Sequence, residues 1–238
     1  MGRFRGLPAP STPSLCPAIV YAPPPDGPLK PVHEDAALLV LDKPAGLLTV
    51  PGRGEAHQDC LLHRAQRHWP DAAVVHRLDL ATSGLVVFAR GEAAQAALSA
   101  AFRERRVDKR YEAVLHGVMP EAWGEAGEVN LPLGTDWAWR PMQRVDPEQG
   151  RPACTRWQVL ARNSQAGQTR VALEPVTGRS HQLRVHMLAL GHPIQGDPLY
   201  GSPASQGAAS RLLLHACSLT LPHPVDGRPV AWTSAAPF

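Results

Sequence analysis

His76-Arg77-Leu78-Asp79-Leu80-Ala81-Thr82-Ser83-Gly84, running directly into Leu85-Val86-Val87-Phe88-Ala89, is the stretch from which the rest of the chain can be read. The five consecutive apolar residues have the length of a buried strand. Thr82-Ser83-Gly84 reads as the turn that enters it, and the apolar pair Val74-Val75 lies upstream. Asp79 is therefore predicted on a loop at a strand entrance, with Arg77 two residues before it. A cation beside a carboxyl group typically holds its pKa roughly 1–3 below the ordinary value. That suits a carboxylate acting as nucleophile or base instead of proton donor. Spacing alone favours a plainer role, in which Asp79 caps backbone groups of Thr82 or Ser83 or pairs with Arg77 at the surface.

Working outward, Ala37-Leu38-Leu39-Val40-Leu41 is a second buried-strand run, closed by the turn Lys43-Pro44-Ala45-Gly46. Glu92 to Phe102 predicts an alanine-rich helix. Tyr111 to Leu115, Arg170 to Leu173, Leu212 to Leu214 and Leu219 to Leu221 predict strands. His181 to Leu190 has helical spacing, with Gly191 at the C-cap position. Residues 117–152 are expected to form loops and short strands. Strands outnumber helices without alternating with them, which disfavours a doubly wound parallel sheet. Residues 1–32 are rich in proline and lack periodicity, so they read as an N-terminal extension to a single folded domain over residues 33–238.

Composition narrows the function classes. The 238 residues are 44% hydrophobic and 19% charged, ordinary for a globular protein. No apolar run is long enough for a membrane span, and no signal-peptide stretch follows Arg3 and Arg5, so a cytoplasmic protein is expected. Cys16, Cys60, Cys154 and Cys217 form no C-x-x-C pair; reduced, mostly buried thiols are expected, with no metal site. His181 and His186 are five residues apart, off the i, i+4 spacing of a helical zinc pair. The net charge is +3, and lysine occurs only at Lys30, Lys43 and Lys109. Arginine supplies the rest of the positive charge, and its planar fork binds phosphate and stacks on bases. A GC-rich genome would produce the same bias.

His76-Arg77-Leu78-Asp79 with Thr82-Ser83-Gly84 resembles the signature of the RluA family of pseudouridine synthases. Further segments match in order: Asp42 to Leu47, Lys109-Arg110-Tyr111, Thr177 to His186, Gly196 to Gly201, and Leu214-His215-Ala216 with His223-Pro224 downstream. The resemblance covers roughly residues 36–238. It implies an α/β (α+β) pseudouridine synthase fold: a long, mixed, mainly antiparallel sheet with flanking helices and a central RNA-binding cleft.

It also implies roles, position by position. Asp79 falls on the catalytic aspartate, Tyr111 on the tyrosine that stacks on the target base, and Arg184 on the basic residue paired with the aspartate. Arg77 falls on the arginine that fills the gap left by a flipped uridine, and Leu183 on the apolar lining of the base pocket. Without the resemblance, Tyr111 could be an ordinary strand residue and Arg184 a solvent-facing charge. Arg103, Arg105, Arg106, Lys109 and Arg110 lead directly into Tyr111 and are expected to contact RNA phosphates.

The reaction breaks the uridine N1–C1′ bond, turns the uracil and rejoins it through C5, so no cofactor or metal is expected. A base must first leave its stack, at a cost of a few kcal/mol. The chain most resembles the family's short dual-specificity members, which lack an S4-type domain and act on 23S rRNA and tRNA. About 35 residues precede the first motif, too few for an S4 domain. The expected partner is thus an RNA stem-loop, read by a monomer. A uridine N-glycosylase or a non-catalytic RNA-binding module are the competing readings.

Overall fold

The computed structural model describes residues 21–238; the start of the proline-rich extension, with Cys16, lies outside the described residues. In chain order the elements are β1 (Pro31–Glu34), β2 (Leu38–Lys43), α1 (Leu61–Gln66), β3 (Ala72–Val74), β4 (Ser83–Arg90), α2 (Glu92–Arg103), β5 (Asp108–His116), β6 (Ala126–Asn130), β7 (Leu133–Thr135), β8 (Gln143–Val145), β9 (Cys154–Asn163), β10 (Gln168–Pro175), α3 (Gln182–Ala189), α4 (Pro203–Gly207), β11 (Leu214–Pro222) and β12 (Pro229–Thr233). Among the described residues, ten strands form one sheet in the order β1-β2-β4-β11-β5-β10-β9-β6, with β3 added to β4 and β12 to β11. β7 and β8 form a separate hairpin. All pairings in the large sheet are antiparallel except β4 with β11.

The apolar run of β4 is continuous because both of its faces are covered. Leu85, Val87 and Ala89 pack with Leu38 and Val40 of β2 against Ala94, Leu98 and Ala101 of α2. Those three α2 residues share one helical face at spacings of four and three. On the other side, Val86 and Phe88 pack with Leu39, Leu41, Leu61, Trp69 and Leu78. A third cluster joins β5, β9 and β10 to α3 through Ala113, Leu115, Trp157, Val171, Leu173, Leu183 and Met187. Fully burying one such large side chain is worth about 1.5–3 kcal/mol, so these clusters fix the sheet on which the site is mounted.

Gly84 is the joint between the two halves. It sits at φ 112°, opposite Ala216 in the β4–β11 pair. A Cβ there would lie 2.5 Å from the Ala216 nitrogen, inside any real contact distance. Only glycine lets these backbones approach.

Two expectations change, and that of the N-terminal extension gains detail. Leu212 to Leu214 and Leu219 to Leu221 are not two strands: β11 runs unbroken from Leu214 to Pro222, with a register irregularity between Ala216 and Ser218 where small residues interrupt the apolar pattern. The proline-rich stretch is fastened to the domain from Tyr21 onward, since Tyr21 Oη donates to the Asp59 carbonyl and Arg64 donates to the carbonyls of Pro24 and Pro25. Of the described cysteines, all free, only Cys60 is fully buried; Cys154 and Cys217 are half-buried on strands.

Candidate active site

The loop carrying Asp79 is held by the turn after β2. Thr49 Oγ1 donates to the Leu78 carbonyl at 2.9 Å and accepts from the Leu78 N–H at 3.2 Å. The Leu80 carbonyl accepts from the Gly46 N–H at 2.9 Å. Lys43, fully buried, donates from Nζ to the carbonyls of Pro44 (2.9 Å), Leu47 (2.8 Å) and Leu80 (3.3 Å). Its three protons thus have three acceptors, which is what makes a buried ammonium tolerable. Burial still pushes Lys43 down to about 7, and attraction to Asp79 offsets part of that. Just upstream, His76 stacks on Phe102 with centroids 4.7 Å apart, and its Nε2 accepts from the Val87 N–H at 3.0 Å. Burial, helped by Lys109, pushes His76 down to about 3, so the ring is the neutral acceptor that contact needs.

Asp79 does not use its side chain as a turn cap. The Thr82 N–H bonds its backbone carbonyl instead, at 3.2 Å. Its carboxylate faces Arg184, whose Nη1 lies 3.4 Å from Oδ2, and His181, whose Nε2 lies 4.0 Å from the same oxygen. Among the described residues none hydrogen-bonds Oδ1, and the side chain is 24% exposed. The ion pair with Arg77 is absent; Arg184 takes that place. Arg184 is only 3% exposed, contrary to a solvent-facing reading. Its Nε and Nη2 grip the buried Asp197 in a two-pronged pair, 2.7 Å each, and its guanidinium lies over the Tyr200 ring, 4.9 Å from the centroid. Asp197 Oδ1 also accepts from the backbone of Leu199 and Tyr200. Arg184 is therefore clamped before it meets Asp79, and fork geometry is what arginine offers here over lysine.

These groups open onto a cleft of about 910 Å³. Of the residues singled out from sequence, Asp79, Arg77, Tyr111, Leu183, Arg184, Arg103, Arg105, Lys109 and Arg110 all line it. Arg106 does not: its guanidinium turns to Glu104 at 2.8 Å, outside the cleft. The lining also carries Arg151, Arg156 and Arg179, which were not singled out from sequence as site residues. Acidic lining is limited to Asp79, Asp108 and Glu174, so the cleft is strongly positive. Tyr111 lies half-buried on β5, and burial together with the Asp79 charge pushes its phenol well above the ordinary range. His186 bonds Thr155 Oγ1 and the Leu131 carbonyl, while His181 bonds Tyr200, so the two rings share no site. Among the described residues no cluster of His, Cys, Asp or Glu is placed to hold a metal.

An arginine-lined cleft in which a carboxylate meets a buried arginine, with Tyr111 and Leu183 in the same lining, has the character of an enzyme site for a nucleic acid. Residues 37–189 match the family model described as RNA pseudouridylate synthase. The chain is 48% identical over 218 residues to the dual-specificity RNA pseudouridine synthase RluA of Escherichia coli, covering 92% of this chain and 98% of that protein. It is 44% identical over 220 residues to the protein of the same name in Haemophilus influenzae, covering 92% and 99%. Human RNA pseudouridylate synthase domain containing 1 superimposes with a TM-score of 0.75 at 30% identity, over 90% of this chain and 87% of that one. The chain belongs to the RNA pseudouridine synthase family, and the large, mostly antiparallel sheet is that family's fold.

Proposed function

We propose that this protein isomerises specific uridines to pseudouridine in stem-loops of 23S rRNA and of tRNA, including the anticodon stem-loop, with Asp79 as the reacting carboxylate. The observation that carries the reading is the Asp79 carboxylate: Oδ2 faces Arg184, Oδ1 takes no hydrogen bond from a described residue, and the residue lines the arginine-rich cleft together with Tyr111 and Leu183. Oδ1 is the oxygen that attacks the ribose C1′ or removes its 2′ proton; either route breaks N1–C1′ and frees uracil within the pocket. Tyr111 holds the uracil by stacking while it turns, an interaction worth about 1–3 kcal/mol per base. As C5 bonds to C1′, the Oδ1–C1′ ester breaks on the attack route, or Asp79 returns the proton to C2′ on the elimination route; the C5 proton is lost and N1 gains one, so atoms balance without a cofactor.

Arg77, exposed at the cleft, fills the vacancy of the flipped nucleotide, and Leu183 packs on the base. Arg103, Arg105, Lys109 and Arg110 bind phosphates. The dual target is supported by the identity, over nearly the whole chain, to proteins named dual-specificity synthases. Residues 33–238 act as the catalytic domain, with residues 1–32 as an extension, in a cytoplasmic monomer; among the described residues no helix is long and apolar enough to cross a membrane.

The test is to incubate the protein with unmodified 23S rRNA and tRNA transcripts and score mass-neutral, carbodiimide-reactive sites. Wild type is expected to produce them and Asp79→Asn to lose them entirely. Undiminished modification by Asp79→Asn would sink the assignment, and release of free uracil with an abasic site would make the enzyme a glycosylase.

A further inference from the structure

The left-handed backbone of His181 is the starting point. Among the described non-glycine residues only Arg105 and His181 have positive φ, and His181 sits at 53° at the start of α3. L-residues occupy this region at a cost that persists where the surroundings impose it, commonly at functional sites. The conformation places the ring between Tyr200 and Asp79.

The Gln143 N–H donates to Tyr200 Oη at 2.8 Å. Tyr200 Oη in turn lies 2.7 Å from His181 Nδ1, and no other acceptor for the hydroxyl proton is present among the described residues. The hydroxyl therefore donates to Nδ1, which makes Nδ1 the acceptor and leaves the proton of the neutral ring on Nε2. Burial disfavours the charged ring, with Asp79 and Asp197 pulling against Arg184 and Arg77. Burial likewise keeps Tyr200 a phenol. The protonated Nε2 then lies 4.0 Å from Asp79 Oδ2, the oxygen that Arg184 also addresses.

We propose that His181 is a positioning residue for the reaction: its Nε2–H, set by the Gln143–Tyr200–His181 relay, holds Asp79 Oδ2 so that Oδ1 alone is presented to the ribose. The 4.0 Å separation is longer than a hydrogen bond. Catalytic contacts in unliganded sites are commonly long and tighten when substrate fills the cleft. Arg184 and His181 then fix the carboxylate from two directions, and a misplacement of the reacting group by about 1 Å can cost roughly 100-fold in rate. The β7–β8 hairpin, which supplies Gln143, is thereby tied to the reacting carboxylate through one hydroxyl.

The proposal rests on Asp79 as the reacting residue, so Asp79→Asn is run alongside on an anticodon stem-loop transcript. His181→Phe is expected to lower kcat roughly 100-fold with KM near wild type, because the contact is used after binding. His181→Gln, which puts an amide N–H near the Nε2 position, is expected to recover most of that loss. Wild-type kcat in His181→Phe, or no recovery in a folded His181→Gln, overturns the proposal while Asp79→Asn remains inactive. Activity in Asp79→Asn overturns the underlying assignment instead. Independently of variant folding, nitrogen-15 histidine spectra of the wild-type protein are expected to show the Nε2–H tautomer at His181; in folded Tyr200→Phe that preference is expected to be lost. An Nδ1–H tautomer in the wild type rejects the relay.

Discussion

Arg184 holds two carboxylates of unlike standing: Asp197, 1% exposed and gripped by two nitrogens, and Asp79, partly open and met by the third. Removing the guanidinium strands the first in the interior and frees the second. Breaking a buried pair by deleting one partner costs about 3–5 kcal/mol, because the remaining charge is left uncompensated. Arg184→Met is therefore expected to lower stability by that amount in urea denaturation and to abolish pseudouridine formation; a variant as stable as wild type would show that Asp197 is not held as a charge. At this scale the sequence was legible in residue types, and the pairing of Asp79 with Arg184 was legible only through the family motif, not from local spacing. Asp79 stood out by its loop and its motif, yet Arg77, its neighbour in the chain, is not its partner. The partner comes from α3, over a hundred residues away, and Asp197, Tyr200 and His181 carry no local sign of the contacts they make. Only motif membership could have flagged them.

Among elements, the join between β4 and β11 decides where the loop of Asp79 sits. The two strands pair in parallel over only His215 with Ser83 and Ala216 with Gly84. Gly84→Ala would force a Cβ into the Ala216 backbone while holding alanine at φ 112°. Backbone strain of this kind costs about 1–3 kcal/mol, before any clash is counted. The expected outcome is a lower denaturation midpoint together with reduced kcat, because Ser83 and Thr82 lead straight into the Asp79 loop; an unchanged midpoint would mean that β11 can move away freely. The buried runs of β2 and β4 and the apolar stripe of α2 were readable from length and periodicity. β9 was not singled out, although Thr155, Trp157 and Val159 alternate with exposed residues along it. Its arginines and glutamine mask the pattern, and its length becomes clear only beside β10.

For the molecule as a whole, the cleft gathers arginines from segments distant in the chain, and affinity for RNA should fall steeply as salt rises. Arg105 lines the cleft and its side chain makes no hydrogen bond or ion pair with a described residue, whereas the neighbouring Arg106 is engaged by Glu104 outside it. Arg105→Ala is expected to reduce the slope of log K against log salt by about 1, measured by RNA binding in a salt titration. Arg106→Ala should leave that slope unchanged. Equal effects from the two would show that the run acts as diffuse charge and not through cleft contacts.

By itself the sequence determined the chemistry on offer: one loop aspartate before a buried strand, a tyrosine behind a basic run, and an arginine in the Thr177 to His186 motif. These are properties of residue type and short spacing, written locally. The Arg184–Asp79 pairing was legible only through the family motif, whereas tertiary structure alone decided that Arg184 meets Oδ2 and leaves Oδ1 without a hydrogen bond from a described residue, that Arg106 leaves the cleft while Arg151, Arg156 and Arg179 enter it, and that Tyr200 meets His181. Those outcomes depend on strands and helices distant in sequence meeting at one place. The burial that brings them together sets which charge is paired, which proton is where, and which oxygen can react.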